Sequence, residues 1–485
     1  MANQLQSIIA DEYVIKKAVI FSERLKEKYD VKSYILELSL FEDIELPYIS
    51  GSMTVMDDMG SFFEMNLKGT EQIELLISGA EESTSLAKFS ITMNITSIVR
   101  KVKTNERTEV YTLSLVSPIA FKDEGIKVSK SYHGVLDSIA GNIVEAYLGV
   151  EVNRNYQSSR AVQEKVKVII PYLSPLESAT WLLDRATTII GAPFYMWQSI
   201  WEQGEQDTVR IGTLDRMMTG GAVWNKDSPM IYSQAAAASV ALLGQLDQDF
   251  IIKEFDTINN QDTTRLMSEG ALGARLTNID SYTGQNYSRH FDVKELLEDS
   301  KISLMRADLD GIRGIQNVFD ESLTLNYQGQ SKKSNKWDNR YFSTVTSYGT
   351  YGSINSYHDD PRELDAMNKM NSRATKALFN KNPINVVLNG AAFLKPLTTG
   401  ASTGVSAGDT LFMNFMRSDT REIKPEIDEV ISGVYLIQRT RHFFSNTKYQ
   451  VSATVSKIDS NLPKNPEVEE VNPDKDPKII SADMF

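Results

Sequence analysis

Hydrophobic residues along the chain follow two rhythms, and the boundary between them marks the first division of the molecule. From Ser33 onward, Tyr34, Leu36, Leu38 and Leu40 alternate with Ile35, Glu37 and Ser39, the period of two that places side chains on opposite faces of a strand. Similar runs cover 48–56, 73–77, 89–99 and 110–116. Five or more short strands parted by Gly, Asp, Asn and Glu turns, with no helix-length segment among them, predict a closed or nearly closed antiparallel barrel over residues 30–125. The rhythm then changes. Residues 131–147 and 175–190 carry apolar positions at helical spacing, the second with Leu176, Ala179, Leu182, Leu183 and Ala186 on one face. Strand patterns at 194–198 and 209–212 follow, so residues 126–230 read as an α+β unit.

Further along, residues 231–325 mix helical and turn signals and form a crossover toward a second strand-rich region. A helix is predicted over 361–379, with Pro361 in its first turn and Asp359 and Asp360 as candidate caps. Alternating runs at 384–388, 411–415, 435–437 and 449–455 then predict a second barrel, completing residues 361–460. The fold class expected is therefore α+β, mainly β, with two antiparallel barrels flanking an α+β middle domain. Residues 1–29 are left as an N-terminal segment.

One pattern occurs twice, about 340 residues apart. Its first copy runs from Phe89 through a polar turn at Thr104-Asn-Glu-Arg107 into Tyr111–Ser117, and its second from Gly433 through Ser445-Asn-Thr-Lys448 into Tyr449–Ser456. A chain with two similar β units can form a ring with twice as many quasi-equivalent units as subunits, an arrangement suited to matching symmetries.

Composition narrows the function classes. At 485 residues the chain holds roughly three domains, and with 41% hydrophobic and 24% charged residues it has ample core material. Its 51 basic and 64 acidic residues give a net charge of −13, which argues against a surface built to grip phosphates. The absence of cysteine excludes disulfides, thiolate metal sites and cysteine nucleophiles. The first residues lack a basic stretch followed by an apolar one, so no secretory signal is read and synthesis in a cytoplasm is expected. The most apolar run, 235–243, is far shorter than the roughly 20 residues a bilayer requires and reads as a small-residue packing helix.

Catalytic chemistry is sparse. Gly404-Val-Ser-Ala-Gly408 fits the nucleophile-elbow pattern, and Asp428 and His442 follow in hydrolase order. An elbow needs a strand before the serine and a helix after it, whereas a Thr/Gly/Ser-rich loop precedes Ser406 and a strand follows, so the motif reads as a turn. His133, His290, His358 and His442 form no i, i+4 pair, and each reads as a surface or interface residue. Asp308-Leu-Asp-Gly311 opens like a calcium loop but has Ile312 and Arg313 where ligands are needed. No phosphate-binding Gly-Lys-Ser/Thr loop occurs. No enzyme activity, cofactor or metal is expected.

Two segments read as contact devices. Residues 326–360 are rich in Ser, Gly and Asn and carry Trp337, Tyr341, Tyr348, Tyr351 and Tyr357, a composition suited to an interface arm; an ordinary two-stranded excursion is the alternative. Residues 461–485 are acidic and proline-rich, hence extended, and include Ile479, Ile480 and Phe485, as in a strap that docks on a partner. Trp337, Tyr341, Tyr348, Tyr351, Ile479, Ile480 and Phe485 are the candidate partner-interface residues.

Three strings together resemble a known family. They are Leu46-Pro-Tyr-Ile-Ser-Gly-Ser-Met-Thr-Val-Met-Asp-Asp-Met-Gly60, the helix from Leu173 to Ala186 with Gly191-Ala-Pro-Phe-Tyr-Met-Trp197 after it, and Ser432-Gly-Val-Tyr-Leu-Ile-Gln-Arg-Thr-Arg-His-Phe-Phe444. Over about residues 30–460 the chain resembles the baseplate hub proteins of T-even-like contractile-tailed phages, whose fold recurs in the N-terminal part of type VI secretion spike proteins. The resemblance implies a homotrimer whose two barrels per chain make a pseudo-sixfold ring, with the hexameric tail tube on one face and the trimeric cell-puncturing spike on the other. It further implies a trimeric spike or tail-lysozyme-like protein, tail tube initiators and central baseplate wedge proteins as partners. DNA would pass through the channel without specific binding, and the location would be the virion tail baseplate after assembly in the host cytoplasm. The 326–360 arm and the acidic tail depart from the family pattern. Two other readings compete: a carbohydrate-binding tail module in which Trp337 and Tyr341 stack on sugars, and a serine hydrolase using Ser406.

Overall fold

The computed structural model describes residues 13–459 apart from internal segments, the longest being 80–88, 234–250, 293–323, 394–404 and 416–427. The predicted helix at 235–243 and the turn at Asp308 lie outside the described residues, as do Trp337, Tyr348, Tyr351, His358, Ile479, Ile480 and Phe485.

The first strand-rich unit comprises β1 (Tyr13–Phe21), β2 (Tyr29–Asp30), β3 (Ile35–Asp43), β4 (Ser50–Asp57), the short helix α1 (Ser61–Met65), β5 (Gln72–Gly79), β6 (Phe89–Lys103) and β7 (Glu109–Val116). Alternation buries one parity of each strand: Leu38 and Leu40 in β3, Met53 and Val55 in β4, Tyr111, Leu113 and Leu115 in β7. β1 lies within the segment that the sequence pattern left without an element, and it pairs antiparallel with β5 from Tyr13↔Gly79 to Phe21↔Gln72.

The middle unit contains α2 (Pro118–Glu124), β8 (Ser131–Gly134), α3 (Leu136–Leu148), β9 (Glu151–Tyr156), β10 (Val166–Ile169), α4 (Pro175–Leu183), β11 (Phe194–Trp197), β12 (Thr208–Thr213) and α5 (Leu214–Thr219). The helix expected from residue 131 begins at Leu136, because Ser131–Gly134 are drawn into antiparallel pairing with β10. α4 starts with Pro175 after a capping box, in which the Ser174 hydroxyl accepts the Glu177 N–H and the Glu177 carboxylate accepts the Ser174 N–H. Ile139, Ile143 and Val144 of α3 and Ala179, Leu182 and Leu183 of α4 belong to a core separate from that of the sheet.

The remaining elements are β13 (Trp224–Asn225), β14 (Ser228–Pro229), β15 (Ile231–Ser233), β16 (Ile252–Thr257), α6 (Thr263–Ser268), β17 (Gly273–Asp280), β18 (Asn286–Asp292), β19 (Thr324–Tyr327), β20 (Gln330–Lys333), β21 (Tyr341–Thr346) and β22 (Gly352–Ser353). They continue with α7 (Pro361–Phe379), β23 (Pro383–Asn389), α8 (Gly390–Phe393), β24 (Thr410–Asn414), β25 (Gly433–Ser445) and β26 (Lys448–Asp459). Tyr341 is not part of a structureless arm: it opens β21, which runs parallel to β17 with Arg275 opposite Tyr341, beside the antiparallel strand β18.

The chain is mainly β with an α+β middle unit, as the alternation and its interruption predict. The barrels do not close among the described residues. One 13-stranded sheet runs in the order β16-β23-β26-β25-β3-β4-β7-β6-β5-β1-β2, with β24 paired to β25 and β15 to β24. The edge of β3 that a closed first barrel would pair within its own unit is occupied by β25, from Asp43↔Arg439 to Glu37↔Ser445. Alternation specifies the faces of a strand and not the neighbour along its edge. Consequently the two strand-rich units, 400 residues apart in sequence where His442 meets Glu42, are joined directly and share one apolar core reaching from Ile15 to Val455.

The repeated sequence pattern forms two long antiparallel hairpins. β6–β7 has register shifts between Ile95/Ser97 and Ile98/Arg100, and β25–β26 between Val434/Tyr435 and Ile437/Arg439. Such bulges bend a strand and raise its local twist; both extra residues of the first hairpin lie on β6, whereas the second hairpin has one on β26 and one on β25.

Candidate functional site

Where the three units meet, a single buried carboxylate collects donors from all of them. Glu42 follows Leu38 and Leu40 on the inward face of β3 and is itself buried. Its Oε1 accepts the Ile200 N–H at 2.7 Å, and its Oε2 accepts the Ala407 N–H at 3.1 Å and the Thr440 hydroxyl at 2.8 Å. His442 Nε2 stands 3.4 Å from the same oxygen, and its Nδ1 is 2.7 Å from the Tyr449 hydroxyl. Burial alone would raise the Glu42 carboxyl. The hydrogen bond and charge of His442 and the Ile200 and Ala407 N–H groups outweigh burial and hold it below the usual carboxylate range.

The loop carrying Ser406 completes this clasp. Trp197 and Trp201 donate their indole N–H groups to the carbonyls of Ala407 and Val405 at 2.9 and 2.8 Å. The Ser406 hydroxyl accepts from Arg210 Nη1 at 3.0 Å and donates to the Ala407 carbonyl at 3.2 Å, and its backbone N–H bonds Asp409 at 2.9 Å. Gly408 has φ +90°, and a Cβ there would come within 2.6 Å of the Trp197 ring. Ser406 is fully buried and held by Arg210, while His442 is directed at Glu42 and Tyr449. The elbow pattern is therefore a structural turn, and β24 follows it where a hydrolase would place a helix.

His442 corrects its sequence reading, being interior and not a surface residue. Glu42, Arg210 and Tyr449 were not singled out from sequence. A signal existed for Glu42, a carboxylate at the inward parity of a strand whose neighbours on that face are leucines. Nothing marked Arg210 or Tyr449, whose roles depend on which strands become neighbours.

Two outward features complete the geometry. Asp57 accepts the N–H groups of Met59, Gly60 and Ser61 with one oxygen and of Phe62 with the other, fixing a turn that leaves Met59 79% and Phe63 77% exposed. At the far end of the sheet β16 pairs with β23, and no strand covers its outer edge among the described residues. Lys253, Glu254 and Asp256 are exposed there, and charges of this kind discourage indiscriminate edge pairing.

A cleft of about 680 Å³ opens between α7, β17, β21 and the β23–β26–β25 end of the sheet. Among the described residues its walls carry five cationic side chains, Arg265, Lys369, Arg373, Lys376 and Arg439, against the carboxylates of Asp184 and Glu269. Lys376 bonds Asp184 at 3.0 Å and Arg439 lies 2.7 Å from Asp43. Leu276, Phe342 and Met370 supply an apolar wall, and the Arg373 guanidinium lies 5.0 Å from the Phe342 ring centroid. No group of three or more potential metal ligands occurs among the described residues, and no described helix is long and apolar enough to cross a membrane.

No known protein-family profile matches the sequence, and no curated protein matches it. Solved structures do. The chain is similar to a tail protein from Neisseria meningitidis MC58, with 11% identity, coverage of 92% of this chain and 96% of that one, and a TM-score of 0.49. It is similar to the 43 kDa tail protein of prophage MuSo2 from Shewanella oneidensis, with 10% identity, 92% and 99% coverage and a TM-score of 0.47. A third, the E. coli c3393 protein, described as a type VI secretion component with structural similarity to the T4 phage tail proteins gp27 and gp5, has 7% identity, 91% and 77% coverage and a TM-score of 0.40.

Proposed function

We propose that the chain is the structural hub of a contractile tail baseplate, a homotrimeric ring that joins a sixfold tail tube to a threefold spike. The observation that carries this reading is the single sheet holding two long, bulged hairpins, β6–β7 and β25–β26, in two units locked by the Glu42 clasp. Three such chains would offer six related β surfaces to a tube and three whole subunits to a spike. Rigidity between the units is what such an adapter needs, because independent motion of the two halves would spoil the match at six positions. The edge of β16 that no strand covers among the described residues and the knob of Met59 and Phe63 are surfaces of the kind used for contacts between subunits.

On this reading the partners are a trimeric spike, tube initiators and central wedge proteins. DNA passes through the ring unheld, in keeping with a net charge of −13. The aromatic residues Trp337, Tyr341, Tyr348 and Tyr351 are proposed to contact partners, as are Ile479, Ile480 and Phe485. The role is structural and not enzymatic.

Light scattering across a concentration series, followed by class averages of the particles, tests the proposal. A mass of three 54.5 kDa chains with a hollow, sixfold-looking projection is expected. A chain that stays monomeric, alone and when co-expressed with a trimeric spike protein, would overturn it.

A further inference from the structure

We infer that the chain joins a second copy of itself strand to strand, the outer edge of β6 beyond Asn94 in one copy pairing antiparallel with β16 of the next. This inference deepens the hub reading and rests on it for the number of copies and the closure of the ring.

Such a joint already exists once inside the chain. Strands of the first unit follow the order β3-β4-β7-β6-β5-β1 and those of the second the order β16-β23-β26-β25-β24-β15. All neighbours are antiparallel in both, except that β15 runs parallel to β24 where β1 runs antiparallel to β5. By this order β16 corresponds to β3 and β6 to β25. β3 and β16 even open with the same irregularity, one extra residue between Ile35 and Glu37 and between Ile252 and Glu254. The outer edge of β25 takes β24 along Gly433–Leu436 and then β3 along Arg439–Ser445. The outer edge of β6 takes β5 along Phe89–Asn94, and residues 96–103 meet no second strand among the described residues. Likewise β3 lies between β4 and β25, whereas β16 has only β23 among the described residues. The two remaining edges of one copy are therefore the counterparts of the two that meet in its interior. Joining them head to tail repeats one contact from copy to copy, the kind of interface that generates a ring when the rotation closes.

Side chains on the two edges agree with this pairing. Val99 of β6 is 67% exposed, and Phe255 of β16 is 37% exposed where its counterpart in β3, Leu38, is fully buried under β25. Charge has the same sense at both joints. Inside the chain Arg439 of β25 lies 2.7 Å from Asp43 and 3.3 Å from Glu45. Between copies, β6 brings Arg100 and Lys103, together with Lys101, which already pairs with Glu109 of its own hairpin, while β16 brings Glu254 and Asp256 beside Lys253. The register follows from the two hairpins and the two bulges. Tyr111 opposite Lys101 matches Tyr449 opposite Phe444, which sets Arg100 at the place of Phe443. Glu254 after the bulge matches Glu37, which sets Asp256 at the place of Ser39. Phe443 and Ser39 are direct partners, so Arg100 of one copy comes to face Asp256 of the next. Opposite charges directly across an antiparallel pair favour that register.

The absence of native cysteine makes a direct test clean. Arg100→Cys and Asp256→Cys are combined in the full chain, purified alone and co-expressed with a trimeric spike protein, and oxidised in a fixed redox buffer. Directly opposed residues of an antiparallel pair have Cα atoms about 4.5–5.5 Å apart, within disulfide reach. Non-reducing gels should show linked bands of two and three chains and none beyond three, while either cysteine alone leaves single chains. In a cysteine-free background, Arg100→Glu sets like charges face to face and should weaken association severalfold in light scattering; adding Asp256→Arg should restore most of it. A trimer by light scattering that does not cross-link would overturn this joint and leave the hub reading standing. A chain that is monomeric in both preparations would overturn the hub reading and the joint with it. Disulfides closing within one chain, a ladder running past three chains, or association indifferent to the charge swap would each overturn the inference.

Discussion

Two buried carboxylates of the first half of the sheet, Asp57 and Glu71, are held mostly by neighbours in sequence, whereas at the β3–β25 seam the buried polar groups answer residues hundreds of positions away. Asp57 holds the N–H groups of residues 59–62, and Glu71 accepts those of Lys68, Gly69 and Thr70 while pairing with Arg24. Across the β3–β25 seam, Glu42 binds Ile200, Ala407, Thr440 and His442, and Trp197 and Trp201 bind the loop at 405–407. The first half carries its own instructions for shape. The second acquires part of its interior only when the other units are in place, so its folding is coupled to theirs.

Glu42→Ala breaks this comparison most severely. It leaves two buried N–H groups, a hydroxyl and His442 without their acceptor, and a loss of about 3–5 kcal/mol is expected in denaturant unfolding. A loss under 1 kcal/mol would mean that the units are held by the shared apolar core alone. Gly408→Ala attacks the same seam from the other side. A methyl group at φ +90° against the Trp197 ring should cost about 2–4 kcal/mol and quench no contact of the first half. Unaltered stability there would show that the loop can move away from Trp197 freely.

Glu71→Ala should cost less, about 1–3 kcal/mol, with faster amide exchange confined to residues 66–72. Loss of protection spreading to 405–409 would erase the distinction between local and long-range nodes. The smallest effect is on pH dependence. The Glu42 carboxyl is depressed in the folded state, so its contribution is full above the unfolded value of 4.5 and is lost as pH falls through the folded value. Between pH 5 and 3 the native protein should therefore lose stability more steeply than Glu42→Gln, and parallel slopes in denaturant melts would contradict this.

Much of the fold was legible in the sequence. Period-two alternation located β3 to β7 and β23 to β26, and the span 361–379 coincides with α7 because Pro361 and an amphipathic pattern mark both its start and its course. β8 was misread as helix because four residues are too few for their pairing with β10 to overcome the helical signal after them. β1 was passed over since no turn signal set it apart in a charged segment. Of the candidate contacts, Tyr341 falls in a strand of a three-stranded sheet, a placement that depends on β17, more than 60 residues away.

The sequence by itself determined which strand residues turn inward and where α4 and α7 start, because these follow from side-chain type and local period. Only the tertiary structure decided that β25 lies beside β3, that the Ser406 loop is clasped by Trp197, Trp201 and Arg210, and that His442 is interior. The physical reason is that a strand edge offers the same N–H and C=O groups to any partner. Which partner it takes, and so which polar side chains meet in the seam, is settled when whole faces are buried together.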